Sequence, residues 1–249
     1  MSGLTLHYIY DPLCGWCYGA APLVRAARAV PGLALALHGG GMLTGANCRR
    51  ITAPWRDYVM PHDRRIAALT GQPFGERYFE GLLRDESAVM DSAPPTTAIL
   101  AAQALGGVEA AADLLARLQR AHYVDGLRIA DAQVLADTAG QAGLDPQRFA
   151  ELCLDIGGDK TQAHMAASRV LLNQLGGHGF PTFALQSGAD RFAVLDVGPF
   201  LGDAGAWQES LARVVAQQGG SMEADSVDSA DSAGGPACDA QGCALPARG

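Results

Sequence analysis

Two cysteines near the amino terminus are separated by only two residues, in the segment Cys14-Gly15-Trp16-Cys17. This spacing lets the two sulfurs meet across a single helical turn, so the pair can cycle between dithiol and disulfide. A thiolate at the first turn of a helix is stabilised by unpaired backbone N–H groups and the helix dipole, which lowers a cysteine pKa from ~8.5 to between ~3.5 and 7.5. Cys14 is therefore expected to be the exposed nucleophile, and Cys17, on the buried face, is expected to resolve the mixed disulfide.

A C-x-x-C pair can also be half of a zinc site. Such a site needs a second cysteine pair or histidines at finger-like spacing, and none follows Cys17. The remaining histidines outside the glycine-rich loop form no metal-like spacing: His7, His38, His62, His122 and His164. The sequence therefore predicts a redox pair and no metal site.

A proline in the segment Phe180-Pro181 precedes a predicted strand far along the chain. Because cis X–Pro bonds mark tight functional turns, we predict a cis peptide here, with an ordinary trans turn as the alternative. Backbone groups freed by this turn would pair with an extended substrate beside Cys14. Pro181 thus joins the two cysteines as a candidate catalytic residue. Trp16, Phe180 and Thr182 are candidate substrate-binding residues. The Trp16 ring is expected to be exposed beside Cys14, with packing onto the helical insertion as the alternative.

The elements that carry the dithiol follow from the hydrophobic pattern. Residues 4–10 alternate and are rich in β-formers, residues 14–30 have apolar groups at helical spacing, and residues 33–38 form a second strand-like run. A strand, a helix and a strand in fewer than 40 residues predict a βαβ unit with parallel strands.

The rest of the chain adds helices and then a hairpin. Residues 53–175 are almost entirely helical in pattern, residues 182–186 and 191–197 form two short strands, and residues 199–215 form a closing amphipathic helix. The fold class is thus α/β: a thioredoxin fold, βαβ–ββα, with a large all-helical insertion between the second and third strands. The predicted divisions are a thioredoxin-like domain at 1–45 and 176–218, a helical insertion domain at 46–175, and a disordered acidic tail at 219–249.

The tail holds a second pair, Cys238 and Cys243, in a C-x4-C arrangement. A tethered thiol pair reaches the first pair repeatedly because tethering raises its effective concentration. We expect the tail pair to act as a secondary redox pair that exchanges with the active-site disulfide. The alternatives are two thiols with no task, or a weak clamp for a soft metal.

Three further residues have a chemical interpretation and a simpler one. Cys48 lies beside two arginines that could lower its pKa, but an incidental thiol is favoured. Cys153 lies on an apolar helix face and is expected in the core. His178 could lie near the dithiol and tune it, although a surface-loop position is favoured.

Composition and charge exclude several partners. The net charge of −8 leaves no basic stripe for phosphates, so no nucleic-acid partner is expected. No uninterrupted apolar run approaches the ~18 residues that a membrane helix needs. Without a basic stretch followed by an apolar run at the amino terminus, the expected location is cytoplasmic.

The segments YDPLCGWCYG at 10–19 and GFPTF at 179–183, with the long helical insertion between them, resemble the DsbA family of thioredoxin-like oxidoreductases, and most closely its cytoplasmic FrnE-type branch. The resemblance covers about residues 4–217. It implies oxidation, reduction or isomerisation of protein thiol substrates, with Cys14 as the attacking thiol and Pro181 as the cis-proline. It also implies no bound cofactor beyond the redox-active disulfide, with the thioredoxin or glutathione system as electron donor. Some FrnE-type proteins also carry a C-x4-C tail.

Two other functions remain open. Glutathione-dependent transferases and isomerases of small molecules, such as the kappa class, share this plan but typically carry serine at the position of Cys14. A thiol-based holdase or metal-binding protein would act stoichiometrically, without turnover.

Overall fold

The computed structural model describes residues 3–220 and two short strands at 238–239 and 242–243. Its first elements are strand β1 (Leu4–Tyr10), helix α1 (Gly15–Gly19), helix α2 (Ala21–Arg28) and strand β2 (Leu33–Gly39). Strands β1 and β2 pair in parallel from Leu4 opposite Leu33 to Tyr10 opposite Gly39, so the predicted βαβ unit is confirmed. The single predicted helix at 14–30 is divided at Ala20, because Pro22 has no N–H to continue the hydrogen-bond ladder.

The insertion contains a small sheet as well as helices. Its elements are strand β3 (Arg49–Arg50), helix α3 (Ala53–Thr70), strand β4 (Val89–Met90), helix α4 (Ala93–Tyr123), helix α5 (Ala132–Gln141), helix α6 (Pro146–Ile156) and helix α7 (Asp159–Gln174). Strands β3 and β4 pair antiparallel, so the prediction of an all-helical insertion is wrong in this detail. Two-residue strands are too short to show the alternation by which a strand is recognised.

Helix α4 is long and apolar enough to cross a membrane by length and composition alone, although 44% of the relevant stretch is buried inside the protein. Mean hydropathy therefore singles out a helix that a search for uninterrupted apolar runs misses. The helix bends at Gly106 and Gly107, where Gly107 has a φ of 72°. Ile99, Leu114 and Leu118 on this helix are fully buried, as expected for the central helix of the insertion.

The chain returns to the first sheet through strand β5 (Thr182–Ser187) and strand β6 (Phe192–Leu195), and ends in helix α8 (Ala204–Gly220). The sheet has the order β2-β1-β5-β6, and β5 is antiparallel to both neighbours. The predicted thioredoxin fold is therefore confirmed. Helix α8 begins later than predicted because Pro199 lies in a short 3-10 turn, and Asp203 Oδ1 accepts the Ala206 N–H at the true start.

Two further short strands lie in the predicted tail. Strand β7 (Cys238–Asp239) pairs antiparallel with strand β8 (Gly242–Cys243), with Cys238 opposite Cys243. The remainder of the tail lies outside the described residues, and its predicted disorder stays a prediction. The domain boundaries stay predictions too, because buried residues of the sheet and of the insertion belong to one continuous core.

Candidate active site

The dithiol lies where β1 gives way to the first helix, as predicted. Cys14 caps α1 with an extended backbone, and its Sγ accepts a hydrogen bond from the Cys17 N–H at 3.4 Å. A free backbone N–H at the helix start is therefore directed at the sulfur, which is the arrangement that stabilises a thiolate.

The prediction that Cys14 is exposed is wrong, because none of its surface is accessible. Its Sγ donates to the Phe180 carbonyl oxygen at 3.4 Å. Helix α3 packs directly onto the backbone of α1: a Cβ added at Gly15 would lie 3.0 Å from Ile66 Cδ1, and one added at Gly19 would lie 2.8 Å from Ile66 Cγ2. Glycine at these two positions is what allows the insertion to approach the motif so closely.

Cys17 is buried, as predicted for the resolving thiol. Its Sγ accepts the Asp11 N–H at 3.5 Å. Burial raises the pKa of the Cys17 thiol well above its ordinary value, and the hydrogen bond and negative charge of Cys14 raise it further. Cys17 therefore holds its proton more strongly than an exposed thiol does.

The loop that faces Cys14 has the predicted backbone, since the Phe180–Pro181 peptide is cis. The Phe180 ring packs against Gly40, where an added Cβ would lie 2.2 Å from the ring. Thr182 Oγ1 donates to the Gly179 carbonyl oxygen at 2.8 Å. The Trp16 side chain is 1% exposed, so the prediction of an exposed ring is wrong. Because Trp16, Phe180 and Thr182 are all buried, their role in substrate binding stays a prediction.

A buried carboxylate, Asp11, ties the motif to the insertion. Asp11 Oδ1 accepts from the Leu13 N–H at 2.8 Å and from the Ser92 hydroxyl at 2.9 Å. Asp11 Oδ2 accepts from the Met42 N–H. Burial raises the pKa of Asp11, while these hydrogen bonds and the charge of Arg169 act in the opposite direction. In the sequence Asp11 is only one residue of the segment YDPLCGWCYG at 10–19, and its role as an anchor was missed.

A second buried carboxyl, Asp63, reaches the motif from α3. A Cβ added at Gly15 would lie 2.7 Å from Asp63 Oδ1, and the Tyr78 hydroxyl donates to Asp63 Oδ2 at 2.7 Å. Burial raises the pKa of Asp63 to about 7, partly offset by the Tyr78 hydrogen bond. Nothing in the sequence distinguishes Asp63 from the other charged residues of this helix, so only the packing of α3 on α1 reveals it.

The other candidates lie apart from this cluster or do not react as considered. The pKa of Cys48 is raised, by burial and by the charge of Asp91, so an arginine-lowered pKa is wrong there. Cys153 is only partly buried and packs against the core, so the prediction of a core position holds only in part. Burial raises its pKa to about 11. His178 is exposed on its loop. Within residues 3–220 and the two short tail strands, no group of three or more His, Cys, Asp or Glu residues is placed to hold a metal ion.

Comparisons with known proteins agree with this geometry. The DSBA-like thioredoxin domain matches residues 5–197. The cytosolic disulfide reductase DsbM from Pseudomonas aeruginosa is 55% identical with a TM-score of 0.79, over 86% of this chain and 99% of that chain. Its structure with GSH is 55% identical with a TM-score of 0.78, over 85% and 99% of the two chains.

A more distant structure is also similar. A candidate protein disulfide isomerase from Nitrosomonas europaea is 26% identical with a TM-score of 0.71, over 87% of this chain and 98% of that chain. Among curated proteins no match was found. The match over residues 5–197 and the high identity to DsbM together show that this chain belongs to the DsbA-like thioredoxin-domain family and is a thiol–disulfide oxidoreductase.

Proposed function

We propose that the protein is a cytosolic disulfide reductase that takes electrons from glutathione and passes them to protein disulfides through Cys14 and Cys17. The observation that carries the proposal is the position of Cys14 Sγ, 3.4 Å from both the Cys17 nitrogen and the Phe180 carbonyl oxygen. The 55% identity to DsbM, which is described as a cytosolic disulfide reductase and was solved with GSH, supports the direction and the donor. The glutathione poise of the cytosol, roughly −220 to −320 mV, also favours dithiols.

In the first half-reaction the Cys14 thiolate attacks one sulfur of the substrate disulfide. A Cys14–substrate disulfide forms and the other substrate sulfur leaves as a thiolate, which takes a proton. Cys17 then loses its proton and attacks Cys14 Sγ, so the second substrate thiol is released and the Cys14–Cys17 disulfide forms. Two glutathione thiols reverse these changes at the protein and leave as glutathione disulfide, so two electrons enter and two leave.

The surroundings of Cys17 favour its attack on Cys14 Sγ only after the mixed disulfide has formed. Two of the effects that raise its pKa, the hydrogen bond and the charge of Cys14, disappear when Cys14 enters a mixed disulfide. The Asp11 N–H, which stabilises the Cys17 thiolate, remains. Cys17 therefore becomes easier to deprotonate once there is a mixed disulfide to resolve.

The test is reduction of insulin by glutathione, coupled to NADPH and glutathione reductase, with thiol variants of the full chain. We expect Cys14→Ser to abolish turnover and Cys17→Ser to accumulate a mixed disulfide that mass spectrometry detects. Cys48→Ser and Cys153→Ser are matched controls and should behave as wild type. Undiminished turnover of Cys14→Ser would refute the proposal, and full turnover of Cys17→Ser would refute the role of Cys17, because glutathione would then resolve the mixed disulfide at Cys14.

The proposed exchange with Cys238 and Cys243 is a separate question. The register that sets these residues opposite each other supports a disulfide between them, because antiparallel partners have Cα separations at which a disulfide can form. Comparing the Cys14–Cys17 reduction potential of wild type with that of the Cys238→Ser/Cys243→Ser double variant tests the coupling. Equal potentials together with equal turnover would show that the tail pair takes no part.

A further inference from the structure

A cleft of about 330 Å³ opens between α2 and α4. Its walls are partly apolar, with Val24 on α2 and Leu115 on α4, and partly aromatic, with Tyr8 and Tyr18. Cys14, Cys17 and Pro181 do not line it. Its volume falls within the ~300 to 1,000 Å³ typical of small-molecule sites, so the cleft is a binding site candidate apart from the dithiol.

Four arginines and one acidic residue line this cleft: Arg25, Arg28, Arg117, Arg120 and Asp113. Two of the arginines are neutralised, since Arg28 pairs with Glu109 and Arg117 pairs with Asp113, each at 2.7 Å. Neither Arg25 nor Arg120 forms an ion pair with any residue in the described part of the chain. In a chain of net charge −8, these two guanidinium groups give the cleft a local positive charge.

The cleft also contains a buried amide without a partner. Gln119 lines the cleft, is 1% exposed, and its Nε2 has no hydrogen-bond partner in the described structure. A buried polar group left unpaired is costly, so a bound molecule that accepts a hydrogen bond from it is favoured. Gln72, which also lines the cleft, is satisfied, because its Nε2 donates to the Tyr18 carbonyl oxygen at 3.0 Å. Gln119 thus places an unpaired donor in the wall of the cleft.

We propose that this cleft binds a small molecule that carries a carboxylate or phosphate group. Guanidinium groups bind such oxyanions in bidentate fashion, and Arg25 and Arg120 are the two that are free to do so. The Gln119 amide would donate to a second oxygen of the ligand, and the apolar walls would cover its carbon skeleton. The site goes beyond the proposed reductase function, because it requires no thiol in its ligand.

The test is calorimetric titration of the full-length protein with three probes that cannot exchange thiols: S-methylglutathione, citrate and inorganic phosphate. We expect at least one probe to bind. We expect Arg25→Ala and Arg120→Ala each to weaken it about tenfold or more, because a charge-assisted contact is worth about 1.5–3 kcal/mol. Arg148→Ala is the matched control, since Arg148 is an exposed arginine outside the cleft, and it should bind as wild type. Which probes bind separates a carboxylate ligand from a phosphate ligand.

A second variant tests the buried amide independently of charge. Gln119→Leu should weaken the bound probe while keeping or raising the free energy of unfolding, since it removes an unpaired buried group. A residue with a merely structural role would show the opposite, with lower stability and unchanged affinity. The proposal would be overturned if no probe bound at millimolar concentration. It would also be overturned if Arg25→Ala and Arg120→Ala left the affinity unchanged, as would happen if S-methylglutathione bound at the dithiol instead.

Discussion

The buried carboxyl of Asp63 makes the stability of the protein depend on pH in an unusual direction. Its pKa rises from an ordinary 3.8 to about 7 in the folded protein, so between these pH values the folded state holds a proton that the unfolded state has lost. Stability therefore falls as the pH rises through this window. Below this window the Asp63 carboxyl is protonated in both the folded and the unfolded state. Above it the carboxyl is ionised in both states, and the folded state carries the full cost of a buried charge.

The magnitude follows from the same two pKa values. Each tenfold change in proton affinity is worth about 1.4 kcal/mol, so the penalty at a pH above 7 is on the order of 4 kcal/mol. Asp63→Asn removes the titration, while the amide oxygen can still accept the Tyr78 hydroxyl that Asp63 Oδ2 accepts at 2.7 Å. We expect the variant to gain on wild type by about 1.4 kcal/mol for each pH unit within the window.

The assay is urea unfolding of the dithiol protein between pH 5 and pH 8, values that bracket the upper part of this window. Asp57→Asn is the matched control, because Asp57 is an exposed aspartate on the same helix, and it should keep the pH slope of wild type. Parallel pH profiles for wild type and Asp63→Asn would refute the assignment of a proton to Asp63.

Three other perturbations test the packing around the motif. Gly15→Ala places a methyl group 2.7 Å from a carboxyl oxygen and should destabilise the folded protein by about 1–3 kcal/mol. Gly140→Ala, with open space around it in α5, should instead stabilise the folded protein by about 0.5–1 kcal/mol. Equal effects of the two substitutions on thermal unfolding would contradict this expectation. Asp11→Ala leaves the Leu13 and Met42 N–H groups without their acceptor and should cost at least about 2 kcal/mol in urea unfolding, and a cost near zero would show that the anchor is replaceable. Iodoacetamide at neutral pH should label the partly exposed Cys48 before the buried Cys17, and denaturant should remove this difference. Mass spectrometry of the native protein measures the order of labelling, and labelling of Cys17 first would contradict the expectation.

Much of the fold could be predicted because its signals are local. The alternation of residues 4–10 and the helical spacing after Cys14 depend only on neighbours along the chain, and both elements are present. The parallel pairing of β1 and β2 followed from the helical crossover that connects them. The cis peptide before Pro181 was predicted from its place in this plan.

The environment of the dithiol could not be predicted in the same way. Cys14 is fully buried, and α3 packs against the two glycines of α1 that follow it in the chain; nothing in the pattern of either helix specifies that contact. Asp63 gains its raised pKa only from this packing. Trp16 was expected at the surface because it lies beside a reactive cysteine in the sequence. Whether such a residue is exposed depends on where the insertion packs, and the local pattern does not specify that packing.

The complete burial of Cys14 beneath its surroundings imposes a kinetic ceiling on the protein. A disulfide or alkylating reagent must approach the Cys14 sulfur in line, so the reaction requires a transient opening in which the neighbouring segments separate. At low reagent concentration the rate rises in proportion to the reagent, but at high concentration it levels off at the frequency of these openings. The plateau is the same for every reagent. It belongs to the protein and sets the fastest turnover that any substrate can reach.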